Sequence, residues 1–486
     1  MKSNNEKSRI GFDAIKLTGS KVATTFIALI SSMLLSRFRS LTEYGTYSQL
    51  LMAINLVCSI IMLGLPNSIN YFLSKADRGE ERERFMAVYY TLNTILSLTT
   101  GLVLVFATPL IENIFNNTLI RNFWYFLAFF PWTKIIMSSV ENLLVVYHKT
   151  SVLMMYRVAN SVSLLGIIVL VQLTGGTFTT YMLLYLTVEI IFTLWTYWQV
   201  TRLAPHIKPR LEKDLIKTIF TFSIPIGLAS VVGTINIELD KLVITTFLST
   251  EDLAIYTNAS KELPVGMIST SLTAVLLPQM VRLLRDDEKK EAVELWKSAT
   301  TISFAIICFI AVGCFVFAPE VITVLYSEKY LPGVSVFRVY CLVLLLKCTY
   351  FGMMLNALGK TKFILYSSIC SLLLNLLLNY ILYFVLGFTG PALATLISSM
   401  ITVIAQLLYS SKVCVINFNA IFPWRNCFML LLLNIGVGVV AFIMQKSICS
   451  VINPIISAIT IGVIWFLIMI AILLKPLLKQ WKILNG

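Results

Sequence analysis

Runs of predominantly apolar residues, each about 20 long, recur from one end of this chain to the other between short polar breaks, and each is long enough to cross a bilayer as a helix. Inside hydrocarbon every backbone N–H and C=O must find its partner within the chain, so an apolar run of this length commits its segment to helix. We place the runs at residues 14–36, 44–73, 85–111, 122–147, 152–173, 177–200, 216–247, 253–277, 299–318, 334–358, 363–386, 391–411, 427–445 and 455–474. The expected fold class is therefore an all-α polytopic membrane protein with about fourteen transmembrane helices. Composition points the same way. Hydrophobic residues make up 58% and charged residues 13%, whereas a soluble surface needs roughly a quarter of its residues charged.

Direction follows from lysine and arginine, because short basic connectors stay on the cytoplasmic side. Alternate connectors carry them: Lys2, Lys7 and Arg9; Lys75, Arg78, Arg82 and Arg84; Arg202, Lys208, Arg210 and Lys213; Arg282, Arg285, Lys289 and Lys290; Lys360, Lys362, Lys412 and Lys475. The opposite connectors hold little beyond Arg37, Arg39, Arg121, Lys329 and Lys446. Both termini are expected inside, which requires an even number of spans. The apolar run reaching Ser36 is too long for a cleaved signal-peptide core, so no cleavage is expected.

The net charge of +14 is thus topological. It is not a basic patch interleaved with aromatics, and no nucleic-acid partner is expected. The nine cysteines lie nearly all within apolar runs and form no C-x-x-C pair, so they read as small hydrophobes. The two histidines, His148 and His206, sit apart in polar connectors, which leaves a zinc or proton-relay site without support. No P-loop is present, so ATP hydrolysis is not expected, and no cofactor is implied.

An internal repeat divides the chain. FRSLTEYGTYSQ from Phe38 aligns with FLSTEDLAIYTN from Phe247, with Phe38 and Phe247, Ser40 and Ser249, and Tyr47 and Tyr256 coinciding. YHKTSVLMMY from Tyr147 echoes LGKTKFILYS from Leu358 at nearly the same offset. An even number of spans separates the copies, so both halves insert the same way, about an axis along the membrane normal. The expected domains are a cytoplasmic N-terminus (1–13), an N-lobe (14–200), a cytoplasmic linker (201–215), a C-lobe (216–411) and a tail (412–486) with the last two spans and a cytoplasmic C-terminus.

Segments along nearly the whole length resemble the polysaccharide-flippase branch of the MOP exporter superfamily, most closely the O-antigen (Wzx-type) flippases. They include EYGTYSQL at Glu43, LGLPNSINYFLSK ending at Lys75, FSIPIGLASVVGTINIELDKLVI from Phe222, AIYTNASKE from Ala254, LLPQM ending at Met280, SEKYLPGVSVFRV from Ser327, LNALGKTKF from Leu355 and LLLNYILYFVLGFTGPALATLISS through Ser399. The resemblance implies a MATE-like fold of two pseudo-symmetric six-helix lobes around a central cavity plus two C-terminal helices, working by alternating access. Its implied substrate is an undecaprenyl-diphosphate-linked oligosaccharide, moved from the inner to the outer leaflet of a bacterial plasma (inner) membrane for O-antigen, capsule or exopolysaccharide assembly. A glycan polymerase and a chain-length regulator are the implied protein partners, with membrane lipid around them. The protein is then a transporter and not an enzyme.

Ionisable residues inside the spans are the candidate site, since a lone charge at mid-bilayer costs about 2.5 to 3.5 kcal/mol on the insertion scale and should face a cavity or a partner. Lys21, Lys241, Lys261 and Lys134 are the candidate cationic contacts for a diphosphate. For Lys21 the alternative is snorkelling to the headgroups. For Lys241, beside Asp240, and for Lys261, beside Glu262, the alternative is an ordinary ion pair. Lys134 and Glu141 are seven residues apart on the fourth span and so are expected on one helix face. Glu189, alone near the middle of the sixth span, is the expected coupling carboxylate for a proton or sodium ion, with Glu141 and Asp240 as alternatives and a purely structural role as the plain reading. Pro66, Pro225, Pro278 and Pro391 are candidate bending points. A MATE-like cation-coupled antiporter of small molecules and a peptidoglycan-precursor flippase are rivals within the superfamily. A membrane glycan polymerase or ligase is the rival from another class, and it would need a sizeable outer loop that this sequence lacks.

Overall fold

The protein is described by a computed structural model covering residues 2–76, 79–448 and 453–485. Arg78 and Cys449 lie outside the described residues, as do the side chains of Lys2, Lys7 and Arg9. Among the described residues all regular structure is helical. The chain forms two compact units, Met1–Ala254 and Ile255–Gly486.

The first unit holds α1 (Lys2–Phe38), α2 (Leu41–Met62), α3 (Leu65–Lys75), α4 (Gly79–Phe106), α5 (Thr108–Phe115), a 3-10 turn (Thr118–Phe123), α6 (Trp124–Met137), α7 (Val140–Val146), α8 (Thr150–Leu173), α9 (Phe178–Leu203), α10 (Lys213–Phe247) and the start of α11 (Thr250–Ala259). The second continues with a 3-10 turn (Pro264–Gly266), α12 (Met267–Arg285), α13 (Lys289–Val316), α14 (Ala318–Leu325), a 3-10 turn (Glu328–Gly333), α15 (Val334–Leu345), α16 (Met353–Ala357), α17 (Thr361–Leu386), α18 (Gly390–Cys414), α19 (Phe418–Ile421), α20 (Trp424–Ile448) and α21 (Pro454–Asn485).

Among the described residues, eleven helical stretches are long and apolar enough to span a membrane by themselves. One of these, Thr361–Cys414, is 54 residues long and contains two helices, α17 and α18, around the turn Gly387–Thr389. Two further spans are broken into pieces that are short individually, α6 with α7 and α15 with α16. Counting these gives the fourteen crossings read from the sequence.

The breaks have local causes. Between α2 and α3, Leu63 and Gly64 both take positive φ, 34° and 75°, before Pro66 restarts the helix. Between α6 and α7, the Ser138 and Ser139 hydroxyls donate to the carbonyls of Ile135 and Ile136, both at 2.6 Å, which competes with the helical ladder. The fourth span is therefore two helices, with Lys134 on α6 and Glu141 on α7.

The repeat is a repeat of helix ends. Ser40 accepts from the Glu43 N–H (3.1 Å) while Glu43 accepts from the Ser40 N–H (3.0 Å), and Ser249 with Asp252 does the same (3.0 and 3.1 Å). His148 and Gly359, second in the YHKT and LGKT echoes, both carry positive φ, 54° and 69°. Between these ends lie matching helices: α4 and α13 have 28 residues each, and α5 and α14 have 8 each.

Helix association in lipid relies on close packing and hydrogen bonds, because the surroundings are already apolar. Within the first unit α10 packs against α2, α3, α4 and α5, whereas α1 packs against α8 and α2. Two glycine contacts clamp α2 and α3: a Cβ on Gly45 would stand 2.1 Å from the Thr250 carbonyl oxygen, and one on Gly227 only 2.0 Å from the Leu63 carbonyl carbon. The eight described cysteines are free, and six are buried. They act as packing groups.

Candidate functional site

Three helices of the first unit bring a charged chain of hydrogen bonds into the protein interior. Glu238 and Lys241 are three residues apart on α10, so they share a face. Lys241 Nζ donates to Glu238 Oε2 at 2.9 Å. The other Glu238 oxygen accepts from Asn55 Nδ2 on α2 at 3.0 Å, and Asn55 Oδ1 in turn accepts from Lys134 Nζ on α6. A carboxamide can bridge in this way, since it accepts at one end and donates at the other. Glu238 is 6% exposed. The chain joins two ammonium groups through one carboxylate, and Glu189 supplies a second carboxylate within electrostatic reach of Lys134. Asp240 lies on the same helix, 2% exposed, turned away from this chain by the 100° step of the helix.

A second cluster lies on α1, α7 and α8. Glu141 takes Lys21 Nζ on one oxygen at 3.2 Å and the Arg157 guanidinium on the other. Lys21 is 58% exposed at its side chain, while Arg157 is mostly buried. Beside Glu141, Asn142 donates to the Pro66 carbonyl at 2.7 Å and accepts from Asn70 at 2.9 Å, fixing α7 to α3. Again two cations share one carboxylate.

Glu189 on α9 is 7% exposed and accepts from Asn160 of α8 at 3.4 Å. It is within electrostatic reach of Lys134. One turn earlier on the same face is Tyr185, whose ring meets that of Tyr47 edge-on, 6.2 Å between centres. A third polar group ties α2 to the end of α10. Gln49 Nε2 donates to Thr245 Oγ1 at 2.8 Å, and Asn117 donates to Gln49 Oε1 at 2.6 Å and to Thr46 Oγ1 at 2.9 Å.

Lys261 belongs to the second unit, in the break after α11, where with Glu262 it lines a small cleft against Phe337 and Tyr340 of α15. Glu262 pairs with Lys347. Of the residues singled out in the sequence, Lys134 and Lys241 thus meet in one chain, and Lys21 and Glu141 in another. Asn55 and Asn160 escaped a search confined to ionisable groups. The signal for Asn55 was a lone amide in the apolar run AINLVC.

Residues 34–335 match the polysaccharide biosynthesis protein family, more than half of the chain. The chain belongs to that family. A curated relative, the capsular polysaccharide biosynthesis protein CapF of Staphylococcus aureus, is 22% identical over 240 residues, which is 48% of this chain and 60% of CapF. This polysaccharide biosynthesis family member also shares its fold with solved transporters. The lipid II flippase MurJ in an inward closed conformation superposes with a TM-score of 0.70 at 15% identity, covering 96% of this chain and all 100% of MurJ. An inward-facing multidrug resistance MATE family transporter of the MOP superfamily gives 0.64 at 17% identity over 81% of this chain and 94% of its own. The fold is that of a MOP-type multi-pass membrane protein.

Proposed function

We propose that this family member is a flippase for polyprenyl-diphosphate-linked oligosaccharide, carrying repeat units for O-antigen, capsule or exopolysaccharide from the inner to the outer leaflet of a bacterial plasma membrane by alternating access. The observation that carries the reading is the chain Lys134–Asn55–Glu238–Lys241. A diphosphate cannot enter hydrocarbon unescorted, and two ammonium groups that share one carboxylate offer it charge-assisted hydrogen bonds. Between substrates Glu238 keeps Lys241 compensated, and an arriving phosphate takes its place. Lys21 and Arg157, sharing Glu141, repeat the same two-to-one arrangement at a more open position. No covalent step is involved. Basic connectors and both termini face the cytoplasm in this reading, and a polymerase and a chain-length regulator receive the product outside.

The test is flipping of a lipid-linked oligosaccharide in proteoliposomes, with Lys134→Gln and Lys241→Gln against the native protein. Each variant is expected to slow flipping at least tenfold at equal expression. Flipping at the native rate in the double variant would overturn the reading, and efflux of small cations without lipid movement would favour a MATE-like antiporter.

Transport is driven, in this proposal, by a proton or sodium ion taken up at Glu189. Its burial in a span that otherwise carries no charge, and its position near Lys134, support that role. Glu189→Gln is expected to bind substrate and lose the dependence on an ion gradient. Gradient dependence retained in Glu189→Gln and Glu141→Gln alike would move the role to Asp240.

A further inference from the structure

A cavity of about 400 Å³ opens on the first unit, between α4, α9 and the connector that follows α9. It is separate from the charged chain above. Its surface is mostly apolar, with a few hydroxyls on it: Thr94 and Tyr197 share a hydroxyl–hydroxyl bond, and behind them Trp132 of α6 donates its indole N–H to Tyr197 Oη at 3.1 Å. The connector is pinned across the opening by the Arg210 N–H, which donates to Thr91 Oγ1 at 3.2 Å, and this sets Lys208 on the cavity wall.

Its depth in the membrane is marked on α9 itself. Trp198 is exposed, with the Arg202 guanidinium 4.6 Å from its ring centre, the amphipathic pairing found at headgroup level. Further along the same two helices, Ile95 and Leu98 of α4 and Ile191 and Leu194 of α9 are exposed, as residues facing acyl chains are. Hydroxyls and a lysine at the interface, with an apolar surface leading inward from them, match a phospholipid end to end. Lys208 puts a positive charge at the mouth, and basic pockets between helices at the membrane surface select anionic headgroups. The size suits a glycerol phosphate group.

We propose that this cavity is a binding site for one anionic phospholipid of the surrounding bilayer, its phosphate on Lys208 and the hydroxyls of Thr91 and Thr201. The site is independent of the transport reading and stands whatever the protein carries.

The test uses the full-length protein, purified in neutral detergent from cells that make no lipid-linked glycan, and dioleoylphosphatidylglycerol as the probe. Native mass spectrometry is expected to show one phosphatidylglycerol retained at concentrations where phosphatidylcholine is lost. Lys208→Gln should weaken retention about fivefold, the effect of one basic residue near a charged surface. Thr201→Trp, which blocks the opening without changing charge, should abolish it, while Lys75→Gln, at another basic connector, should leave it unchanged. Inorganic phosphate at equal concentration should not compete, because the apolar surface contributes to holding the lipid. Equal retention of both lipids, equal loss in Lys75→Gln and Lys208→Gln, or full retention in Thr201→Trp would each overturn the proposal.

Discussion

Lys134 on α6 and Arg157 on α8 carry two of the charges inside the first unit; counted along the matching helices of the second, their positions are Leu344 on α15 and Ser368 on α17. The helices α4 to α9 recur in order as α13 to α18, yet the core of the second unit is packed with neutral groups. Its largest core gathers around Trp296, whose indole N–H donates to Thr349 at 2.9 Å, with Cys308, Cys348 and Cys427 as fillers. Two of its buried amides, Asn375 and Asn379, bond to one another. Helix ends and turns are common property of the two copies, while the charged chain draws on both, with Asn55 and Lys134 from the first and Glu238 and Lys241 from the second. A duplicated framework needs only its caps and breaks preserved, so side chains facing the interior are free to diverge.

The largest contrast is expected between two ion pairs. Glu238→Ala strands Lys241 and removes the partner of Asn55, and should cost about 3 kcal/mol, the lower end for breaking a buried pair. Glu262→Ala in the second unit breaks a half-exposed pair with Lys347 and should cost no more than about 1 kcal/mol. Thermal unfolding in detergent measures both, and equal losses would erase the distinction between a charged and a neutral unit.

Next in size are two glycines. Gly227→Ala forces a Cβ into the Leu63 backbone and should destabilise by about 1 to 3 kcal/mol. Gly313→Ala in α13 meets nothing within 4 Å and should be neutral or stabilising by up to about 1 kcal/mol through helix propensity. A tolerated Gly227→Ala would mean that α10 is not held by close backbone approach.

Smaller, and expected to be alike in the two copies, are the caps. Ser40→Ala and Ser249→Ala should each cost about 1 kcal/mol. A cost in only one of them would show that the shared framework is not equally maintained.

The smallest effect lies at the connector before α10. A hydrogen bond from the Arg84 guanidinium holds the Glu212 carboxyl below the usual carboxylate range. A depressed pKa contributes stability that is present above the unfolded value and is lost as pH falls through the folded one. The native protein should therefore lose its advantage over Glu212→Gln as melting is measured from neutral pH down into the acid range. A difference unchanged across that range would show that the pair does not act through charge.

Much of the fold was legible because its determinants are local. Length and apolarity fixed the spans, and the echoes at Ser40 and Ser249 and at His148 and Gly359 marked helix ends that recur in both copies of the repeat. The break at Ser138 and Ser139 was not legible, since serine hydroxyls bonding backward are tolerated in many intact helices. Lys134 and Glu141, on either side of it, hold different partners, Asn55 and Lys21.

By itself, then, the sequence determined that this chain is helical, crosses a membrane about fourteen times and is built from a duplicated six-span plan, because hydrophobic length and capping are read within a few turns of chain. It also showed which charges fall within the apolar runs. Only the tertiary structure decided their partners. Asn55, Lys134, Glu238 and Lys241 come from α2, α6 and α10, and no spacing in the sequence records that these three helices are neighbours. The cost of a charge in lipid demands a partner but does not name one, and the choice falls to whichever helix the close packing at Gly45 and Gly227 brings within reach.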